Sequence, residues 1–266
     1  DTMDNRPDVA EIVCRDVLVL DEAHTTAYRK FSKEWATKSR YLIGLTATPW
    51  RLKKKETLLD YFNHAVFAPV PRELQEMGWL VPFRYFALEG TVDTSKINKD
   101  SEGDYRKREL SMLTSTPAVV KSAVDNWIRL AQGRRTIGFG VDVEHAKIVT
   151  REFQERGINA AVVHGSMNPS TERQPLYDAL GRGDLEVLMS CRTLTEGFNI
   201  PSVNCVLDLA PTLSRALFFQ KIGRGARISP ETGKADCFVL DQAGGVELHG
   251  YLEEIDEEML QLRPAN

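Results

Sequence analysis

The sequence is poor in the features that define secreted, membrane-bound and metal-stabilised proteins. Its 266 residues include four cysteines, and no two of them form a C-x-x-C pair. That spacing disfavours a zinc site or a disulfide framework and predicts an intracellular, reducing compartment. The sequence has no apolar run of about eighteen residues and no charged-then-apolar leader. We therefore predict neither a membrane span nor a secretory signal.

The sequence also has little net charge, but the mean hides an uneven distribution. The formal charge is −4, and residues 246–266 alone carry one basic and six acidic side chains, a balance of −5. The other residues are almost neutral. A neutral body can still bind a phosphate backbone through local basic patches and helix N-termini. The charge therefore does not exclude a nucleic-acid partner.

Hydrophobic residues make up 42% of the chain, enough for a core, which excludes general disorder. Short apolar runs, typical of strands buried on both faces, alternate with amphipathic helical stretches. The predicted strands are 17–20, 41–45, 82–86, 136–140, 160–163, 187–189, 203–207 and 237–240, and the predicted helices are 26–37, 118–130, 143–156, 171–180, 214–222 and an acidic surface helix over 252–262. This alternation predicts an α/β fold of parallel sheets flanked by helices.

An acidic motif, Asp21-Glu22-Ala23-His24, directly follows the first predicted strand. Residues that follow a parallel strand lie at the carboxyl edge of the sheet, where ligands bind in open α/β folds. Magnesium prefers hard oxygen ligands, and phosphoryl transfer needs that ion to neutralise developing charge. We therefore expect Asp21 to hold Mg²⁺ and Glu22 to polarise an attacking water. The alternative is an ordinary solvated turn at the end of a strand.

A second polar motif, Thr46-Ala47-Thr48-Pro49, follows the second predicted strand. Hydroxyls at positions i and i+2 lie on one side of an extended chain. If the two strands are adjacent and parallel, Thr46 and Thr48 lie beside the acidic motif and can respond to its state. Alone, such a sequence usually makes an ordinary turn.

Two further motifs lie in the second half of the chain. Residues 220–227 are Gln-Lys-Ile-Gly-Arg-Gly-Ala-Arg, in which Arg224 and Arg227 are spaced to share a helix face and converge on one anion. An arginine delivered to a transferring phosphoryl group is worth about 10³–10⁵ in rate. The alternative is a basic helix end that interacts with its own dipole. Residues 194–201 form a predicted loop in which Gly197 allows close backbone approach.

In this order and spacing, the four motifs resemble those of the superfamily-two helicases and translocases, the DEAD/DEAH-box-like motors with two RecA-like domains. Residues 21–24 match the Walker B (DEAH) motif of that family, 46–48 its motif III, 196–201 its motif V and 220–227 its motif VI. Residues 137–145 and 163–165 resemble the start of the second RecA-like domain. The resemblance covers about residues 12–242. It is strongest to the XPB-like DNA helicases and the restriction-enzyme motor subunits.

The resemblance implies a domain organisation and a set of site residues. Residues 1–80 are expected to be the C-terminal part of the first RecA-like domain, 81–116 a linker or insertion, 117–245 the complete second domain and 246–266 an acidic tail helix. The implied cofactors are ATP and Mg²⁺. The implied catalytic residues are Asp21, Glu22, Gln220, Arg224 and Arg227, the nucleotide contacts His24, Gly197 and Asn199, and the coupling residues Thr46 and Thr48.

The implied partner is DNA, with RNA not excluded, in the cytoplasm, nucleoid or nucleus. The expected backbone contacts are Gly165, Ser166 and Thr195, and the basic run over residues 51–55 is either a further contact or a solvated loop. Two residues depart from the family pattern. Asn199 replaces an aspartate that in many relatives contacts the ribose, and Cys191 replaces a Ser or Thr that donates to a phosphate.

The chain lacks the G-x-x-x-x-G-K-[ST] loop that cradles nucleotide phosphates. In the family this Walker A loop precedes the Walker B motif, and the chain starts at Asp1 rather than Met. We therefore expect an excised piece that hydrolyses ATP negligibly alone. A missing N-terminal segment or another chain would carry the loop and complete residues 1–80, which are otherwise partly loose. The alternatives are a non-hydrolysing nucleic-acid-binding or scaffold module on the motor fold, and the motor portion of a restriction nuclease.

Overall fold

The computed structural model describes residues 16–23, 39–49, 58, 62–88, 92–191 and 199–256. Contacts divide the chain into a smaller unit, residues 1–68 with 256–266, and a larger unit, residues 69–255. Each unit contains a parallel sheet of its own. The predicted class, parallel α/β with flanking helices, is confirmed.

The smaller unit contains a two-stranded parallel sheet of β1 (Val17–Leu20) and β2 (Tyr41–Gly44). Leu20 and Ala23 are buried, and Leu18, Leu42 and Phe62 pack against them. The alternate residues of the same strands are exposed: Val17, Val19, Tyr41, Ile43 and Leu45. Both faces of this sheet are therefore apolar, and one of them faces solvent.

The larger unit is built on a six-stranded sheet in which all neighbouring strands are parallel. Its strands are β3 (Phe83–Ala87), β4 (Thr136–Phe139), β5 (Ala160–Val163), β6 (Val187–Ser190), β7 (Cys205–Asp208) and β8 (Cys237–Asp241). Their order across the sheet is β3-β8-β7-β4-β6-β5. Every residue of β4, β6, β7 and β8 is buried, as continuous apolar runs predict for strands covered on both faces.

Helices connect these strands and place their carboxyl ends at one edge. They are α1 (Pro71–Glu76), α2 (Lys107–Thr114), α3 (Pro117–Ala131), α4 (Val143–Glu155), α5 (Gln174–Arg182), α6 (Arg215–Gly223) and α7 (Gly245–His249). The start of α4 is set by Asp142, whose side chain accepts from the backbone N–H of His145 at 2.8 Å. Such caps satisfy N–H groups that have no partner inside the helix. No helix in the described part of the chain is long and apolar enough to span a bilayer.

Several large aromatic residues are buried in the larger unit. Trp127 is fully buried, packs edge-on against Phe153 and donates from Nε1 to Thr136 Oγ1 at 2.8 Å. Phe218 and Phe219 are buried as well. Because the one polar atom of the indole has its partner, Trp127 is a satisfied core residue.

Residues 81–116, expected to be a linker or insertion, contain two regular elements. The predicted strand 82–86 is present as the edge strand β3 (Phe83–Ala87), paired with β8, and α2 occupies Lys107–Thr114. Asp104 accepts from Thr212 Oγ1 at 2.6 Å and from Leu213 N–H at 2.8 Å. These residues therefore contact the larger unit, which covers residues 69–255.

The largest differences in element boundaries concern β7, α5 and the acidic tail. Strand β7 starts at Cys205 rather than at residue 203, and α5 starts at Gln174 because the preceding turn, Pro169–Arg173, is a wider π-helical one. The predicted acidic helix does not start at Leu252, since Leu252–Glu254 is a 3₁₀ turn and Ile255 is extended. Residues 257–266 and the predicted helix 26–37 lie outside the described residues.

Candidate functional site

In the smaller unit, the acidic motif and the threonine motif lie side by side at the carboxyl ends of β1 and β2. The backbone N–H of Leu45 donates to Leu20 O at 2.8 Å, and that of Ala23 donates to Leu45 O at 2.9 Å. These two bonds continue the ladder beyond the strands. They hold the acidic pair against the segment that carries the threonines.

The backbone of the acidic motif has an unusual conformation. Glu22 has φ +50°, and among the described residues it is the sole non-glycine residue with positive φ. Its N–H donates to Asp21 Oδ1 at 2.9 Å. Left-handed backbone at a non-glycine residue costs about 1 kcal/mol or more and is concentrated at functional sites. The arrangement leaves Asp21 exposed at the sheet edge.

The threonine motif is ordered by a local hydrogen bond, in which the backbone N–H of Thr48 donates to Thr46 Oγ1 at 3.1 Å. Thr48 is buried, whereas Thr46 is half-buried. The hydroxyl of Thr46 is therefore engaged in shaping its own turn as well as lying near the acidic segment.

Asp21 fits a magnesium ion that is held mainly by substrate. Within the described residues, no group of three or more His, Cys, Asp or Glu side chains is arranged to hold a metal. Magnesium in phosphoryl-transfer sites is typically held by one or two carboxylates together with phosphate oxygens and water. An exposed carboxylate at a sheet edge meets that requirement, whereas a closed protein cage is absent from this part of the chain.

In the larger unit, the predicted helix face of Arg224 and Arg227 is not formed. Helix α6 ends at Gly223, Arg224 is its C-cap, and Arg227 lies in an extended segment that makes an isolated β-bridge with Leu80. The expectation of two arginines on one helix face is therefore wrong. Gln220 lies within α6 and is half-buried.

We call residues 224–227 the arginine segment. Its path is set by Gly225, where a Cβ atom would lie 2.4 Å from Cys237 Sγ and 3.0 Å from Val206 Cγ2. Any larger residue would push the segment off β7 and β8. Glycine at this position therefore lets the backbone leave the helix while it stays packed against the sheet.

The structure brings the motif V and motif VI segments together. Arg227 Nη1 donates to Asn199 Oδ1 at 2.7 Å. An amide oxygen accepts this bond without neutralising the guanidinium, so Arg227 keeps its positive charge for an anion. The asparagine that occupies residue 199 in place of an aspartate thus accepts a hydrogen bond from Arg227.

Sequence reasoning missed Lys234. This residue follows a turn in which Gly233 has φ +65°, and its ammonium reaches back across that turn. Its Nζ donates to the carbonyl oxygens of Arg227, Gly225 and Pro201 at 2.7, 2.8 and 3.0 Å. Burial lowers the pKa of Lys234 to about 8. No local pattern identifies this role, because a lysine beside a turn glycine is usually solvated.

A second buried lysine anchors α6, the helix that precedes the arginine segment. Lys221, in α6, donates to both carboxylate oxygens of Asp208 at 2.6 Å and to Ala210 O at 2.8 Å. The two side chains are almost completely buried, at 3% and 0% exposure. Burial raises the pKa of Asp208, and the adjacent ammonium opposes that rise. This pair joins α6 to the carboxyl end of β7.

The predicted nucleic-acid contacts Gly165 and Ser166 lie exposed in the turn after β5. Ser166 Oγ and His164 Nδ1 are 2.8 Å apart, and Arg173 donates to the carbonyl oxygens of Gly165 and Met167. These bonds hold the turn open at the sheet edge. The remaining predicted contacts, His24, Thr195 and Gly197 with the basic run 51–55, lie outside the described residues.

A cleft lies next to this edge, at the ends of β4 and β7. The order of the sheet reverses there, since β4 has β7 on one side and β6 on the other. Such switch points form ligand crevices in open α/β sheets. The cleft is lined by Gly140, Val141, Pro211, Asp104, Tyr105 and Lys107. Residues 104–107 of the expected linker or insertion therefore form one of its walls.

Cys191 and His145 have structural roles close to this edge. Cys191 Sγ donates to Val141 O at 3.4 Å, a contact within the protein at the position where relatives place a phosphate donor. His145 is buried and its Nδ1 accepts from Val141 N–H at 3.2 Å. Burial lowers the pKa of His145 to about 4, so its ring is neutral at physiological pH.

The larger unit combines a parallel sheet with an arginine segment beside the amino ends of β7 and β8, and comparison with known families identifies its class. The model of the helicase conserved C-terminal domain matches residues 83–229. The chain belongs to this helicase family. The resemblance to superfamily-two helicases and translocases drawn from the motifs is thereby confirmed.

Two curated relatives illustrate the similarity to known helicases. The chain is 29% identical over 239 residues to a Saccharomyces cerevisiae protein provisionally named ATP-dependent helicase IRC3, covering 86% of this chain and 34% of that protein. It is 23% identical to the DNA 3'-5' helicase XPB of Mycobacterium tuberculosis, covering 82% and 39%. The chain spans about a third to a half of the length of the first curated relatives it matches.

The fold similarity extends to a restriction enzyme. A fragment of a provisionally assigned HsdR subunit of a type I restriction enzyme from Vibrio vulnificus superposes with a TM-score of 0.66 at 24% identity. That match covers 89% of this chain and 46% of the other. At 24% identity, this match shows a similarity of fold alone.

Proposed function

We propose that this chain is part of an ATP-dependent DNA helicase or translocase, in which both units contribute to coupling ATP hydrolysis to movement along DNA. The observation that carries the proposal is the 2.7 Å bond between Asn199 and Arg227, which joins the motif V and motif VI segments beside the amino ends of β7 and β8. The names of the curated relatives support ATP dependence and, for XPB, action on DNA.

In this proposal the smaller unit supplies the acidic chemistry. Asp21 holds Mg²⁺ together with nucleotide phosphates, and Glu22 orients the attacking water. Thr46 and Thr48 couple the acidic pair to nucleic acid, and His24 contacts the nucleotide. Bound magnesium neutralises charge on the phosphates. The positive φ of Glu22 and the bond from Ala23 N–H to Leu45 O support the proposal, because they fix the backbone of the acidic pair at the sheet edge.

The larger unit supplies positive charge and a grip on the nucleic-acid backbone. Arg224 and Arg227 stabilise the transferring phosphoryl group, with Gln220 beside them, and Asn199 and Gly197 contact the nucleotide. Gly165, Ser166 and Thr195 hold the DNA backbone. Asn199 already accepts from Arg227, so its contact with a ribose competes with that bond.

The hydrolysis test uses the protein in a form that carries a phosphate-binding loop, because the loop is absent from these residues. DNA-stimulated ATP hydrolysis is expected, and Arg227→Gln is expected to lower kcat by about 10³ or more while the affinity for DNA changes little. Arg151→Gln, on the exposed surface of α4, is the matched control and should leave kcat unchanged. Wild-type protein that binds DNA without hydrolysing ATP would indicate the non-hydrolysing module instead.

A second test uses the 266-residue chain itself. We expect negligible ATP turnover with or without DNA, and substantial DNA-stimulated turnover would refute this expectation. DNA binding, followed by fluorescence anisotropy, should weaken by about threefold to tenfold for Ser166→Ala, the loss expected for one hydrogen bond. Ser101→Ala, in an exposed loop, is its control. Tighter binding to RNA of the same length would indicate that RNA, and not DNA, is the partner.

A further inference from the structure

The side chain of Lys234 bridges the two segments that carry Asn199 and Arg227. Its three acceptors are Pro201 O, two residues after Asn199, and Gly225 O and Arg227 O in the arginine segment. The ammonium and the bond between Asn199 and Arg227 therefore join the same two stretches of chain. Lys234 holds the backbones of the two stretches, and the bond between Asn199 and Arg227 joins their side chains.

The bonding of Lys234 uses all of its donors. An ammonium has three N–H groups, and three carbonyl oxygens lie within 3.0 Å of Nζ. The titratable groups that face it are the guanidinium of Arg227, which disfavours its charge, and the thiol of Cys237. Among the described residues, Lys234 is therefore held by main-chain carbonyl dipoles and has no ion-pair partner. A neutral amine has only two N–H groups and would release one carbonyl.

The arginine segment is held on its other side by the chain that leads into β3. The backbone N–H of Val81 donates to Ala226 O at 2.8 Å, and Leu80 forms a β-bridge with Arg227. The alternation of carbonyls along the segment is informative. Those of Gly225 and Arg227 point to Lys234, and that of Ala226 points to Val81. The segment is therefore fixed from two directions, and Lys234 alone provides the link to Pro201 among the hydrogen bonds of the described residues.

We propose that Lys234 is a positioning residue that sets the placement of Arg227 for ATP hydrolysis by tying the arginine segment to the motif V segment. The inference rests on the proposed function and adds a residue outside the four motifs. Misplacing a catalytic group by about 1 Å can cost about 10²-fold in rate. The loss of Lys234 should therefore lower kcat without a matching change in substrate binding.

The first experiment follows amide hydrogen exchange in the 266-residue chain and does not depend on hydrolysis. Lys234→Met is expected to raise exchange about tenfold or more at Val81, Val203, Gly225 and Ala226, and to leave the amides of β4 unchanged. Lys147→Met, at an exposed position of α4, is the control. A uniform rise across the larger unit would show a merely structural role, and no local change would show that Lys234 does not hold the segment. Either result overturns the proposal.

The second experiment measures ATP hydrolysis in the protein form that carries the phosphate-binding loop. Lys234→Met should lower kcat by about 10–100-fold, with KM for ATP and Kd for DNA within about twofold of wild type. In Lys234→Ala, ethylammonium should restore part of kcat, whereas tetramethylammonium, which has the charge but no N–H group, should not. Folded variants with normal kcat, or equal effects of the two cations, would overturn the proposal.

The outcomes of the two experiments separate the inference from the function on which it rests. A wild-type protein that does not hydrolyse ATP would overturn the proposed function, and with it a role for Lys234 in hydrolysis, even if the exchange pattern is as expected. Normal kcat in Lys234→Met beside a large loss in Arg227→Gln would overturn the positioning role alone.

Discussion

The two sheets differ in how completely their apolar strands are covered. In the larger unit every residue of β4 and β7 is buried, whereas in β1 and β2 alternate apolar side chains are exposed. Both kinds of strand have the same sequence signature, a short continuous apolar run. The signature reports that a strand is suited to burial on both faces, and it does not report whether both faces are covered.

The candidate site residues differ between the units in the same way. Those of the smaller unit are positioned by main-chain bonds and by local contacts such as that between Thr48 N–H and Thr46 Oγ1. Those of the larger unit are tied by side chains that span long stretches of sequence, including the bonds of Lys234 and Lys221. The described candidate residues of the larger unit are therefore fixed by contacts within that unit.

The largest difference between the two units is expected in the rates of amide hydrogen exchange in the 266-residue chain. Amides in β7 should exchange about a thousandfold or more slowly than those in β1, because local opening of a strand pair with an exposed apolar face needs far less free energy than opening a six-stranded core. Mass spectrometry of peptic fragments gives both rates. Equally slow exchange in the two strands of a monomer would show that the smaller unit is complete as it stands.

The next largest effect is expected from the buried ion pair. Lys221→Met should lower the free energy of unfolding of the larger unit by about 3–5 kcal/mol, since it leaves the Asp208 carboxylate buried without its partner. Urea titration followed by tryptophan fluorescence measures this change. The double variant Lys221→Met with Asp208→Leu should recover most of the loss. The matched change in the smaller unit, Asp21→Asn at an exposed site, should alter stability by less than about 0.5 kcal/mol.

Acid should distinguish the units as well. The pKa of His145 is about 4 in the folded larger unit and about 6.5 when unfolded, so its contribution is complete above pH 6.5 and is lost as the pH falls towards 4. Between pH 7.5 and 5.0 this residue should cost the wild type about 2 kcal/mol that His145→Asn, which keeps an acceptor, does not lose. His64→Asn, at an exposed site, is the control. Parallel pH profiles for wild type and His145→Asn would contradict the prediction.

The smallest effects come from a matched pair of valines. Val206, in β7, is 0% exposed and Val19, in β1, is 53% exposed. Val206→Thr should cost about 1–3 kcal/mol because it buries a hydroxyl, whereas Val19→Thr should cost less than about 0.5 kcal/mol. Equal losses in thermal or urea unfolding would show that the outer face of β1 is covered in solution.

Much of the framework could be predicted from local pattern. The strands and α3, α4 and α6 follow from apolar runs and periodicity, and the acidic and threonine motifs lie together because parallel strands end at one edge. The end of α6 agrees with the predicted helix 214–222, but the separate path of Arg227 depends on the close approach of Gly225 to Cys237, which is a tertiary contact.

The parts that sequence could not supply depend on distant partners. Lys234 contacts Pro201, 33 residues away, and Asp104 contacts Thr212, 108 residues away. In both cases a polar residue in a turn or polar stretch has a buried or half-buried tertiary partner. Local composition is the same for a solvated loop and a docked one, so the sequence alone does not separate them.

The bridge between Leu80 and Arg227 has a mechanical consequence. Tension applied to the chain from the N-terminal side of the larger unit passes Leu80 and Val81 before it reaches the first strand, Phe83–Ala87. The backbone contacts of Leu80 and Val81 are with Arg227 and Ala226. A pull on this stretch would therefore load the arginine segment as well as the sheet.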